Sequence, residues 1–381
     1  MALVSVFIPV YNRELHIAQA IESILEQSFK DFELIIINDG SSDRTEEVIL
    51  GFESPQIRYY KNEHNLGIPA TRNKGLRLAR GKYLVLLDSD DIALPNRLQV
   101  QVGYMETHPD IVISGTFFKQ FGSGSRCRYE LFKTDDEIKS FLLWETPFLQ
   151  PTIIMRLDRI RKSEVWYSEE YNIAEDYDFF DRVGTETGGK FANLKCKLTK
   201  YRRHPENITF SKRSAVIARE SRKKIRSRRL KALLGEDYSN RYPELVDLIC
   251  CNKITDFSTL ANCFDLLILL EKKNNNLKKY SLFYFNKYIE KKKIFLTTRF
   301  FLLLVKNSIK VNLDFISIKR LFRSTLNVVS NPQTTLAKVY LIIKIFQCTF
   351  KNALSTIFLV GIFIIKNVLL ETIYVRKRTK S

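Results

Sequence analysis

Hydrophobic and polar positions follow two different periods over the first 120 residues. "LVSVFIP" (3–9), "FELIIIN" (32–38) and "KYLVLLD" (82–88) are near-continuous apolar runs, the pattern of strands buried on both faces. "IRYYKN" (57–62) reads as a shorter strand. Between these runs the period changes. "ELHIAQAIESILEQS" (14–28) repeats Ile17, Ala20, Ile21, Ile24 and Leu25 at helical spacing. Asp43 is placed to N-cap a helix that begins with glutamates. "GIPATRNKGLRLARG" (67–81) predicts a helix closed by Gly81, and "LPNRLQVQVGYMETH" (94–108) predicts another. Alternating strand and helix patterns with doubly buried strands predict an α/β fold with a mainly parallel, doubly wound, Rossmann-like sheet.

From Ile111 the alternation loosens. "DIVISGTFF" (110–118) and "PTIIMR" (151–156) predict strands, and "DDEIKSFLLW" (135–144) and "AEDYDFFDRVGTE" (174–186) predict helices. "KLTKYRRH" (197–204) is a strand or its exit loop. After about Ser211 the pattern becomes basic and helix-like, starting with "KRSAVIARESRKKIRSRRLKALL". The expected division is therefore residues 1–210 and 211–381.

Charge sharpens that division. Residues 1–210 hold 27 Lys/Arg against 31 Asp/Glu, and residues 211–381 hold 34 against 11, within an overall net charge of +19. The first part is near neutral, whereas the second calls for an anionic partner. The six cysteines (Cys127, Cys196, Cys250, Cys251, Cys263 and Cys348) form no C-x-x-C and no zinc-like spacing. "MALVSVFIPV" reads as a first strand, because it lacks the basic start and the cleavage site of a signal peptide. Reduced thiols in a cytosolic protein are the expectation.

Parallel sheets bind ligands beyond the carboxyl ends of their strands. That rule selects "VYN" (10–12), "NDGSSD" (38–43), "NEHNLG" (62–67) and "DSDD" (88–91), all polar. Asp88 and Asp90 form a D-x-D at a strand end. A divalent cation there would relieve their repulsion and bridge to a diphosphate. Asp91 is open to a second reading, as the start of the next helix. Asp39 is either an acceptor for a base or ribose group or part of an N-D-G turn. In "IAEDYDFFDRV", adjacent Glu175 and Asp176 point in different directions, so one can face a site while the other caps the helix. Such a carboxylate suits a general base. "YRRHPENIT" clusters two arginines with His204, a set able to hold diphosphate oxygens or a metal. Neither G-x-x-x-x-G-K-[ST], nor G-x-G-x-x-G, nor G-x-S-x-G occurs, so any diphosphate must be held by metal and arginine.

Taken in order, "VSVFIPVYN", "ELIIINDGSSD", "GIPATRNKGLRLARGKYLVLLDSDD", "AEDYDFF" and "YRRHPENIT" resemble the family 2 glycosyltransferases of GT-A fold, over roughly residues 3–210. The resemblance implies a nucleotide cradle at Pro9, Tyr11 and Asn12. It implies a base contact, commonly to uracil, at Asp39, and a nucleotide-side arginine at Arg72. Asp88 would meet the ribose, and Asp90 would hold Mn²⁺ or Mg²⁺. Asp176 would be the catalytic base, and His204 would close over the diphosphate and sometimes touch the metal. The implied reaction is inverting transfer of one sugar from a nucleotide-sugar donor, commonly a UDP-sugar. The acceptor would be a saccharide, free or carried on undecaprenyl diphosphate, in O-antigen, capsule or related synthesis. The Q-x-x-R-W motif of processive members is absent after Asp176, which favours single transfers. A sugar-nucleotide nucleotidyltransferase would need a Gly-rich loop where "PVYNREL" stands, and a non-catalytic scaffold would not need both acidic motifs.

The resemblance stops near residue 211. The basic, apolar-rich remainder is expected either to dock on the inner face of a bacterial cell membrane or to form a helical subdomain with a solvated basic face. "LAKVYLIIKIFQCTF" suits an interfacial helix. "NALSTIFLVGIFII" (352–365) falls short of the about 20 residues that span a bilayer, unless Lys366 is tolerated and the segment runs over 352–370. No nucleic-acid-binding module is visible.

Overall fold

A computed structural model describes residues 2–123, 132–205, 207, 212–236 and 257–307. The chain forms two compact units, Met1–Arg229 and Leu230–Ser381. The first therefore runs past residue 210 to take in most of a long helix.

The first unit is built on one eight-stranded mixed sheet. Its strands are β1 (Val4–Val10), β2 (Phe32–Asn38), β3 (Ile57–Lys61), β4 (Tyr83–Leu86), β5 (Ile92–Ala93), β6 (Ile111–Gly122), β7 (Ile154–Arg156) and β8 (Lys190–Arg203). They lie in the order β3-β2-β1-β4-β7-β6-β8-β5. The β3, β2, β1 and β4 half is parallel throughout. In the other half β7 runs antiparallel to β4 and β6, β5 runs antiparallel to β8, and β6 and β8 run parallel.

The apolar runs explain the parallel half. Residues of β2 and β4 are buried on both faces. Val4, Val6 and Ile8 of β1 face a core with Ile17, Ala20, Ile21 and Ile24 of α1 (Ile17–Leu25) and with Leu98, Val102 and Met105 of a later helix. The alternate residue Phe7 turns the other way, onto Gly75, where an added Cβ would lie 2.7 Å from the Phe7 ring. The remaining helices of this unit are α2 (Thr45–Leu50), α3 (Ile68–Leu78), α4 (Arg97–Thr107), α5 (Asp135–Phe141), α6 (Leu157–Lys162), α7 (Glu175–Glu186) and α8 (Lys212–Leu234). The helix α6 has no counterpart among the sequence expectations.

Three local expectations are corrected. Helix α3 ends at Leu78 with Ala79 as its C-cap, so Gly81 does not close it. Gly81 instead lets two backbones meet, since a Cβ there would stand 2.6 Å from the Ser5 nitrogen. Asp43 lies one residue before the N-cap Arg44, yet its carboxylate accepts hydrogen bonds from Thr45 N and Glu14 N. It therefore pins α2 to the β1 exit loop. Asp91 does not start a helix, because α4 begins at Arg97 with Asn96 as its N-cap.

In the second unit, α9 (Phe257–Leu277) and α10 (Leu282–Asn307) form a helical hairpin. Phe264, Leu267 and Leu270 of α9 are buried, as are Phe285, Tyr288 and Ile289 of α10. Among the described residues no helix is long and apolar enough to cross a membrane. The segments at 336–350 and 352–370 lie outside the described residues. Cys196 and Cys263 are free thiols, and the other four cysteines also lie outside them.

Candidate active site

The parallel strands β1, β2, β3 and β4 all end on one edge, which gathers the polar loops singled out in the sequence. At the exit of β1, Tyr11 is 43% exposed. Asn12 adopts a left-handed conformation with φ 51°. Its amide donates to Ser41 Oγ at 2.9 Å, and its Oδ1 accepts from Ser42 N at 2.9 Å. The first two exit loops are thus tied together, with Pro9 one residue before the end of β1.

Asp39 is buried at the end of β2. Its oxygens accept from Asn62 Nδ2 at 2.8 Å, Leu66 N at 2.9 Å and Gly67 N at 3.0 Å. A carboxylate offers about four acceptor positions, so one remains for a ligand. Gly67 can serve here because its φ of 88° suits a residue without Cβ.

The D-x-D loop follows β4. Strand β5 begins directly after it and pairs with β8, with Ile92 opposite Lys200. This pairing brings the end of β8 back to the carboxylates. Arg202 N donates to Asp91 Oδ1 at 2.8 Å, and Arg202 Nε donates to the Asp90 carbonyl at 2.7 Å. His204 Nε2 lies 2.9 Å from Asp90 Oδ2. Asn207 Nδ2 donates to the same oxygen at 3.3 Å, and Arg13 Nε stands 3.7 Å from it. Sequence reasoning missed Arg13 and Asn207. Arg13 follows Asn12 in a strand-exit loop, so the rule that selected residues 10–12 reaches it when extended by one position.

Asp88 faces the opposite partner. Arg72, buried on α3, lies 3.7 Å from Asp88 Oδ1 and donates to Glu175 Oε1. The Arg72 guanidinium also sits 5.5 Å from the centre of the Tyr167 ring, which stacks on Phe179. One arginine therefore joins the D-x-D loop to the first residue of α7. The turn into α7 is made by Ala174, whose φ is 68°, and not by a side-chain cap. Glu175 is buried on the arginine, whereas Asp176 is half-buried and accepts from Tyr177 N at 2.7 Å. Neither is the N-cap residue, although Asp176 satisfies a free amide of the first turn. They do point in different directions, as expected.

This edge holds more carboxylates than cations, and ionisation suffers. Burial, with Asp90 and Asp176 adding to it and Arg72 opposing, pushes Asp88 up to about 6. Burial opposed by Arg72, with Asp176 adding, takes Glu175 up to about 7. Burial also raises Asp176, against the pull of Arg72. Asp91 is fully buried and is pushed well above the carboxylate range by burial and by Asp90 and Asp88. Its Oδ2 has no hydrogen-bond partner. Behind it lies the fully buried Arg97, a third residue missed in the sequence. Arg97 donates to the Leu86 carbonyl at 2.8 Å. Burial lowers its guanidinium to about 9, while Asp91 and Asp88 resist that fall, so it stays charged at neutral pH.

Among the described residues, no three His, Cys, Asp or Glu side chains form a closed metal set. The Asp90–His204 pair still suits a cation of the Mg²⁺ or Mn²⁺ type. Such ions take one or two protein ligands and fill the rest of their shell with water and substrate phosphate.

A family model, Glycosyl transferase family 2, matches residues 5–163. An uncharacterized glycosyltransferase of Methanocaldococcus jannaschii is 36% identical over 214 residues, which make up 52% of this chain and 70% of that one. The chain belongs to glycosyltransferase family 2. Within this family 2 glycosyltransferase, 103 residues are 39% identical to WfgD of Escherichia coli, a UDP-Glc:alpha-D-GlcNAc-diphosphoundecaprenol beta-1,3-glucosyltransferase. That match covers 27% of the chain and 41% of WfgD. The fold is GT-A. A crystal structure of S. aureus TarS 1-349 in complex with UDP-GlcNAc superposes with a TM-score of 0.50 at 15% identity, covering 88% of this chain and 92% of that one.

Proposed function

We propose that this glycosyltransferase transfers one sugar, with inversion, from a UDP-sugar to a hydroxyl of a saccharide acceptor in bacterial surface-polysaccharide synthesis. The observation that carries the reading is the convergence of Asp88, Asp90, His204 and Asp176 on one strand-exit edge, with Arg72 bridging Asp88 to the start of α7. WfgD, which acts from UDP-Glc on a diphosphoundecaprenol-linked sugar, supports the donor and the lipid-linked acceptor.

In this reading Tyr11, Asn12 and the free acceptor position of Asp39 receive the base. Asp88 meets the ribose. Asp90 and His204 would hold Mn²⁺ or Mg²⁺, which would offset charge on the leaving diphosphate. Asp176 accepts the proton of the acceptor hydroxyl as that oxygen bonds to the anomeric carbon and the bond to the diphosphate breaks. Burial raises its proton affinity, which strengthens it as a base. The basic second unit places the enzyme at an anionic membrane surface where a lipid-linked acceptor resides.

The test is a screen of nucleotide sugars with Mn²⁺ and lipid-linked or free saccharides. UDP-sugars should give transfer. Asp176→Asn should lower turnover by about 10²- to 10⁴-fold while leaving UDP binding intact. Unchanged turnover in that variant overturns the assignment of the base.

A further inference from the structure

The corner of the second unit's hairpin has a built form. Helix α9 stops at Leu277, and Lys278 turns left-handed with φ 49°. The fully buried Asn274 closes the corner. Its Oδ1 accepts from Tyr280 N at 2.9 Å, and its Nδ2 donates to the Tyr280 carbonyl at 3.2 Å. Tyr280 stacks on Phe285 with ring centres 5.2 Å apart, and both are buried. The corner is therefore a fixed shape with its own apolar filling.

Three large apolar side chains on the same corner are left outside that filling. Leu277 is 58% exposed, Leu282 40% and Phe283 71%. Single exposed apolar residues are common on soluble proteins, but three within seven positions on one rigid corner are not scattered. Their surroundings are strongly cationic. Between Ile268 and Lys293 there are eight lysines and two glutamates, and both glutamates pair with Lys293. Lys272, Lys278 and Lys287 stand exposed on the two helix ends that frame the apolar triad.

We propose that this corner is a membrane-docking wedge. Leu277, Leu282 and Phe283 enter the headgroup–acyl boundary of an anionic bilayer, and the surrounding lysines bind the headgroups. The chemistry favours lipid over nucleic acid. A polyanion would engage the lysines but leave Leu282 and Phe283 in water, whereas a bilayer accepts both at once. The inference rests on the membrane-surface part of the proposed function and not on the transfer chemistry.

The experiment uses the full chain and sedimented vesicles, either phosphatidylcholine alone or with a quarter phosphatidylglycerol. The unchanged protein should partition onto the anionic vesicles. Leu282→Ser with Phe283→Ser, and separately Lys272→Glu with Lys278→Glu and Lys287→Glu, should each weaken partition by about tenfold or more. Phe283→Trp reports on the corner itself. After subtraction of the parent spectrum, its emission should blue-shift on anionic vesicles and be quenched by brominated lipids. Partition unchanged in both sets of variants, with no quenching at position 283, overturns the wedge even where the protein still binds vesicles. Partition that ignores the serine changes, vanishes with the glutamate changes and is competed by an oligonucleotide overturns lipid in favour of nucleic acid. Absence of vesicle binding by the unchanged chain overturns the membrane reading as a whole, while sugar transfer stands or falls by its own assay.

Discussion

Helix α7 carries two carboxylate pairs one turn apart, and they sit in opposite electrostatic settings. Glu175 and Asp176 join Asp88 at an edge where their ionisation is opposed by burial and, for Glu175 and Asp88, by neighbouring carboxylates. Asp178 and Asp181 are more deeply buried but are matched by arginines. Arg182 donates to Asp178, Arg228 donates to both carboxylates, and Arg229 pairs with Asp181. Both pairs are carboxylates in the first two turns of one helix, with Glu175 and Asp176 adjacent and Asp178 and Asp181 three positions apart. What separates them is the supply of cations from the rest of the chain. A cluster matched by its own chain holds elements together, whereas a cluster left short of cations is suited to receive one with its ligand.

The widest separation should come from Asp181→Ala. Breaking its buried pair with Arg229 should lower unfolding free energy by about 3–5 kcal/mol in denaturant titrations. Asp176→Asn should leave stability near that of the parent. A small effect of Asp181→Ala would remove the contrast. A third buried carboxylate sharpens it. Glu33 accepts from Ser5 Oγ at 2.6 Å and Arg80 N at 2.8 Å, and it pairs with Arg58. Burial pushes its carboxyl up, but these hydrogen bonds together hold it below the usual value. Its stabilisation is therefore present above the unfolded pKa and is lost as pH falls through the lower folded one. Glu33→Gln should cost about 1.5–3 kcal/mol at neutral pH. Thermal melts below pH 5 should show the parent converging on the variant. The smallest effect has the opposite sign. Asp88→Asn removes a like charge from the crowded edge and should raise stability by about 1 kcal/mol, limited by the partial exposure of Asp88. The same change should weaken UDP-sugar binding in calorimetry.

The parallel half of the sheet was legible because β1, β2 and β4 are short apolar runs, with β3 a shorter, half-buried strand beside them. The strand-exit rule placed Asp39, Asp88 and Asp90 at the carboxyl edge of the sheet without any long-range information, and the structure has them there. Pairings across the chain were not legible. Asp91 looked like a helix start because capping is a local rule, yet its partner, Arg202, comes from the far end of β8. Arg13 and Asn207 meet at Asp90 only because β1 and the β8 exit reach the same edge. Gly81 looked like a helix stop because its reason, the Ser5 backbone, lies on another strand. Arg182, four positions after Asp178, was a local sign of one pairing, but nothing marked Arg228 and Arg229 as partners, since the basic run that supplies them lies beyond residue 210.

The arginines of α8 also set an order in time. A ribosome delivers α7 before α8, and Asp181 precedes Arg229 by 48 positions. At about 5–20 residues per second, that gap leaves Asp181 without its arginines for a few seconds of every synthesis, whereas Asp178 already has Arg182 on its own helix. During that interval the strands from β1 to β7 are already available to pair, but α7 cannot settle against them without stranding the charge of Asp181. The helix that carries Asp176 is therefore fully charge-matched only once the arginines of α8 have arrived.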